Sequence, residues 1–78
     1  MLLRSKYAFS EILGAQAATD ARYRYIISEG VEILYDHKTD PLEMKNVAPQ
    51  FPEVTERMRK AVEEWMETSG PIHPPKTY

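Results

Sequence analysis

Arg22-Tyr23-Arg24-Tyr25-Ile26-Ile27-Ser28-Glu29-Gly30-Val31-Glu32-Ile33-Leu34-Tyr35-Asp36 is the stretch on which the fold turns. Tyr23, Tyr25 and Ile27 alternate with Arg22, Arg24 and Ile26, the period of a strand whose two faces differ. Ser28-Glu29-Gly30 is a turn signal, because Gly30 takes positive φ without a Cβ clash. Val31, Ile33 and Tyr35 then alternate with Glu32, Leu34 and Asp36. Two β-rich runs joined by a short glycine-containing link predict an antiparallel hairpin over 22–36. Glu32 is expected to face Arg24 or Arg22 across it, a pairing of roughly 0.2–1 kcal/mol. A hairpin alone is marginal in water, so more strands or a helix must cover one face.

The cover is legible downstream. Pro52 to Thr68 predicts a helix in which Val54, Met58, Ala61, Val62, Trp65 and Ser69 trace one apolar stripe. Glu56, Arg59, Lys60, Glu63, Glu64 and Glu67 occupy the rest, and Glu56 with Lys60 makes a favourable i,i+4 pair. Gly70 and Pro71 stop the helix. Between hairpin and helix, Asp40-Pro41-Leu42-Glu43 has the form of a capped helical turn lasting to Asn46: Asp40 as cap, Pro41 at the first position, Glu43 reaching back. Pro49 and Pro52 punctuate the approach to the long helix. Residues 71–78, with three prolines, read as an extended tail.

Upstream, residues 1–18 admit two readings. Tyr7, Phe9 and Glu11 alternate with Ala8, Ser10 and Ile12 as in a strand. Ser10 is also a possible cap for a helix from Glu11 through Ala18, which Gly14 weakens by about 1 kcal/mol. A strand followed by a loop is preferred.

Seventy-eight residues make at most one domain, and a chain of that size buries a modest share of its surface. It has no cysteine, which excludes disulfide staples, thiolate metal sites and a cysteine nucleophile. A net charge of −2 argues against an electrostatic nucleic-acid binder. Arg4 and Lys6 come too early for a signal-peptide core, and no apolar run approaches the roughly 20 residues of a membrane span. The compartment is not legible.

Chemistry-bearing clusters are few. Asp36, His37 and Asp40 lie close in sequence but match no strong ligand spacing; a solvated turn is the expected reading. Tyr23-Arg24-Tyr25 mixes aromatic and basic residues as single-strand nucleic-acid binders do, yet such runs are ordinary in sheets. Nothing places Glu11 and Glu32 as an acid/base pair, and there is no glycine-rich phosphate loop. No residue is assigned a catalytic, cofactor-binding or metal-ligating role.

Three segments in order resemble the C-terminal end of sulfatases: Thr19-Asp20-Ala21-Arg22-Tyr23-Arg24-Tyr25-Ile26, then Glu32-Ile33-Leu34-Tyr35-Asp36, then Thr39-Asp40-Pro41-Leu42-Glu43-Met44-Lys45-Asn46-Val47-Ala48. Phe9-Ser10-Glu11 is similar to an upstream strand of that family, and the resemblance spans residues 7–68. Thr19 stands where the family often has arginine, Arg24 where it has lysine and His37 where leucine is common. The resemblance implies a small α+β subdomain over 1–70, with an antiparallel sheet of about four strands and the closing helix on one face. It also implies that the calcium site, the formylglycine and the acid/base residues belong to a catalytic domain absent from this chain. Ser69-Gly70-Pro71-Ile72-His73 does not restore them, since His73 stands where the formylglycine motif requires arginine. The implied role is a non-catalytic piece of a sulfuric ester hydrolase that packs on the catalytic domain and helps shape its cleft, leaving an apolar sheet face exposed when alone. The alternative is a free-standing interaction module, dimeric through that face.

Overall fold

Two tight turns organise the sheet. Leu13 and Gly14 have φ of 53° and 86°, and Glu29 and Gly30 have φ of 52° and 81°. Paired positive φ marks the type I′ turn, whose twist matches that of the flanking strands. A computed structural model describes residues 7–68. It contains one four-stranded antiparallel sheet in the order β1 (Ala8–Ile12), β2 (Ala15–Thr19), β3 (Tyr23–Ser28), β4 (Val31–Asp36). A 3₁₀ turn, Ala48–Gln50, and the helix α1, Pro52–Thr68, come next. The small α+β fold with one helix on one face of the sheet is therefore observed. The expected tail, 71–78, and the Ser69–His73 segment lie outside the described residues.

Residues 15–19 form a strand and not the expected loop. The two-residue turn at Leu13-Gly14 brings β2 straight back on β1, pairing Ile12 with Ala15 and Ala8 with Thr19. The strand hides in the sequence because Ala15, Ala17 and Ala18 carry little β preference; its neighbours on both sides supply the reason to extend.

Pairing registers sort the strands into two faces. Phe9, Ala18, Tyr25 and Leu34 stand in one row across all four strands. This row faces α1, and Ala18, Tyr25, Leu34 and Met58 have no accessible surface. Val47 and Val62 complete the buried core, with Tyr23, Ile27, Phe51, Val54 and Met66 packed around it. Each fully buried aliphatic side chain contributes roughly 1.5–3 kcal/mol. That burial holds α1 in place more than helix propensity does.

The stripe read from the sequence is largely the buried one, with two adjustments. Thr55 is also buried, because its hydroxyl donates to the carbonyls of Phe51 at 2.9 Å and Ala48 at 3.2 Å. Trp65 sits at the margin, half-buried and stacked on Phe9 with ring centroids 5.0 Å apart. Ser69 falls outside the described residues.

Segment 37–47 departs most from expectation. No helical turn forms at Asp40. Its carboxylate accepts the amides of Met44 and Lys45 at 2.9 Å each, while the Glu43 amide donates to the Asp40 carbonyl at 3.0 Å. Glu43 itself takes φ of 58°, which ends the turn before a second one can start. The chain then runs back along the outer edge of β4. Val47 donates to the Leu34 carbonyl at 2.8 Å and the Asn46 side chain accepts the Leu34 amide at 2.9 Å. That cover protects one of the two sheet edges from foreign pairing.

Candidate functional site

Asp20, Asp36, Asp40 and Asn46, polar residues of the motif-like segments, each have a structural partner. Asp20 accepts the amides of Arg22 at 2.8 Å and Tyr23 at 2.7 Å, closing the β2–β3 connection. Burial pushes its carboxyl up, but these two bonds and Arg57 outweigh it and hold it below the ordinary value. Asp36 is clamped by Arg22, with Nε to Oδ1 and Nη2 to Oδ2 both at 2.8 Å. The fork-shaped pair is the strong form of this interaction, and the guanidinium brings the Asp36 carboxyl down to about 2. Asn46 uses its carbonyl oxygen twice, for Leu34 and for Ala48 at 3.0 Å, and its amide donates to the Glu32 carbonyl at 3.3 Å.

The cluster Asp36, His37 and Asp40 is thereby pulled three ways. Asp36 turns to Arg22, Asp40 to backbone amides, and His37 to Glu43, with Nε2 2.5 Å from Oε2. The same Glu43 oxygen lies 3.4 Å from Arg24. Glu43 thus bridges side chains from β3 and the segment after β4, and does not fold back on Asp40 as a capping box requires. Among the described residues no group of three His, Cys, Asp or Glu side chains is placed to hold a metal ion.

Glu32 does not meet Arg22 or Arg24. The two-residue turn sets Glu32 opposite Ile27 and Arg24 opposite Tyr35, and adjacent pairs point to opposite faces. Glu32 faces α1, where Arg59 reaches it at 2.6 Å and the Tyr25 hydroxyl donates to it at 2.7 Å. The bond from Arg59 lowers the Glu32 carboxyl, and burial followed by the Glu32 contact raises the Tyr25 phenol. Glu11 lies in the same row as Glu32 but on β1, three strand spacings or roughly 14 Å away, so the two carboxylates do not act together. Tyr25 has no exposed surface and cannot stack on a base, whereas Tyr23 is half-buried against Phe51.

Shallow hollows lie among the described residues. The one between Arg22, Asp36, Asp40, Lys45 and Phe51 has a volume of about 430 Å³. Of its charged groups, Asp36 and Arg22 are spent on each other and Asp40 on backbone amides.

Among the described residues, the second face of the sheet has no helix or strand packed across it. The registers place three rows there: Ile12, Ala15, Ser28, Val31; then Ser10, Ala17, Ile26, Ile33; then Ala8, Thr19, Arg24, Tyr35. Ile12 and Val31 are 67% and 61% exposed. Arg24 is the one charged residue in the twelve. Leu13, at the adjoining turn, is 99% exposed. The alternation in β3 and β4 signals this face; the contribution of β1 and β2 is masked in the sequence along with β2 itself.

No family model matches the chain, and no curated protein matches it in sequence. No described helix is long and apolar enough to cross a membrane. The described residues form a small α+β module with a helix on one side of its sheet and no described element on the other.

Proposed function

We propose that this chain is a non-catalytic C-terminal subdomain of a sulfatase-like sulfuric ester hydrolase, docking on a catalytic domain through the open face of its sheet. The observation that carries the reading is the face itself: twelve positions of a four-stranded sheet, one charge, and no described helix across it. An apolar patch of that kind on a folded domain is often functional and suits a contact surface. The resemblance of residues 7–68 to sulfatase C-termini supplies the identity of the larger partner. Its motif-like residues Asp20, Asp36, Asp40 and Asn46 act as turn and edge fasteners, which suits a subdomain that contributes shape and no reacting group. Calcium and formylglycine would belong to the catalytic domain.

The test is direct. The purified 78-residue chain is assayed with p-nitrophenyl sulfate, and no turnover is expected; turnover overturns the reading. A sulfatase catalytic domain expressed without its own C-terminal subdomain is then mixed with the chain. Recovery of heat resistance or activity is the expected result, and an unchanged domain counts against the docking role.

A further inference from the structure

We propose that the open face, when no larger domain covers it, pairs with the same face of a second copy of this chain around a two-fold axis parallel to the strands. This goes beyond the docking role and concerns the isolated chain.

Shape is the first support. On this face β1 and β2 present Ala8, Ser10, Ala15, Ala17 and Thr19, and β3 and β4 present Arg24, Ile26, Ser28, Val31, Ile33 and Tyr35. One half is low and the other high. A two-fold parallel to the strands keeps each row over itself and reverses the strand order, so β1 lies over β4 of the mate and β2 over β3. Ile33 then falls over Ser10, Ile26 over Ala17, Tyr35 over Ala8 and Arg24 over Thr19, each bulky side chain above a small one. Such alternation is what lets two apolar layers interdigitate. Face-to-face sheets pack about 10 Å apart and within about 30° of alignment, which this axis satisfies. A contact of this kind is isologous: each residue pair occurs twice.

Charge agrees with shape. Arg24, the face's only ionic residue, already has Glu43 of its own chain at 3.4 Å, so two copies approach without like-charge repulsion. The row at one end breaks the low–high rule twice: Ala15 meets Ser28 of the mate, small on small, and Ile12 meets Val31. Ile12 and Val31 are mostly exposed strand residues, at the end where Leu13 adds further apolar surface.

Area sets the strength. Four strands by three rows cover roughly 400 Å², below the ~800 Å² per partner of a stable complex. The dimer is therefore expected to be weak and transient.

Sedimentation equilibrium between about 10 µM and 1 mM tests it, with Ile12→Lys and Val31→Glu as single variants. Both positions are mostly exposed, so the fold is retained, as circular dichroism checks. Wild type is expected to dimerise. Each variant alone is expected to weaken dimerisation roughly tenfold or more. An equimolar mixture of the two is expected to recover a heterodimer, because Lys at 12 then lies over Glu at 31 of its mate while the other junction stays apolar. A wild-type monomer at the highest concentration overturns the proposal, leaving the face to a larger domain. So does a dimer indifferent to both variants, or a mixture that shows no recovery. None of these outcomes touches the aryl sulfate assay.

Discussion

Arg59 of α1 and Glu32 of β4, 27 residues apart, meet through Nε and Oε2 at 2.6 Å and through Nη2 and Oε1 at 3.3 Å. Glu32 at the same time accepts the hydroxyl of Tyr25, the largest fully buried side chain of the core row. The trio pins the helix to the sheet at one edge, as Arg57 with Tyr7 and Asp20 does elsewhere on the helix side. Glu32→Gln removes the charge and keeps the shape. It is expected to cost about 1 kcal/mol, modest because solvent reaches the pair. Urea denaturation of wild type and variant checks it, and an equal loss in Arg59→Gln without additivity in the double variant locates the coupling.

Core burial is expected to dominate stability. Met58→Ala empties a site with no accessible surface and should cost roughly 2–5 kcal/mol. Trp65 is half-buried at the sheet margin against Phe9, so Trp65→Ala should cost less than Met58→Ala despite the larger side chain. Thermal melts of the two variants decide the order; the reverse order would reject the placement of α1.

Asn46 holds the returning chain to the edge of β4 through two hydrogen bonds, to the Leu34 amide and the Glu32 carbonyl, and accepts a third from Ala48 in its own segment. Asn46→Ala leaves the part-buried Leu34 amide without its acceptor, at a cost of roughly 1–3 kcal/mol. Hydrogen exchange at Leu34 should accelerate more than at Tyr25, whose strand lies inside the sheet.

Leu13 occupies a left-handed turn position with a 99% exposed side chain. Asn-Gly is the preferred pair for this turn. Leu13→Asn should therefore stabilise the chain by about 0.5–1 kcal/mol, read as a rise in melting temperature.

Acid should weaken the fold through carboxylates whose folded pKa is depressed. Asp36 titrates near 2 when folded, held there by Arg22, against 3.8 as its ordinary value. Its contribution is complete above the ordinary value and is lost as pH falls from about 4 through about 2. Asp20 and Glu32, also lowered, act in the same direction. Melting temperature should fall across that window, and Asp36→Asn should flatten the slope; an unchanged slope would reject the clamp as its source.

Local patterns decided much of this protein in advance. The 22–36 hairpin is written in strict alternation around Glu29-Gly30, and α1 in a 3.6-residue stripe bounded by Pro52. Both signals are periodic and short-range, so neighbours in sequence carry them. β2 was opaque because a strand of alanine and threonine draws its reason to extend from β1 and β3. The Asp40–Asn46 stretch carried every mark of a capped helix start, yet Glu43 found His37 and Arg24 and left the helical path.

Glu32 shows the division most plainly. Its face was set by alternation, but its partner was not, since the turn register and the path of α1 had to be combined before Arg59 came within reach. Asp20, Asp36, Asp40 and Asn46 were visible as a pattern, and only the folded chain showed that backbone amides and Arg22 consume them. The sequence by itself determined the period of each element and hence which residues share a side. Tertiary structure decided which sides meet, because burial and ion pairing depend on distances that sequence neighbours do not encode.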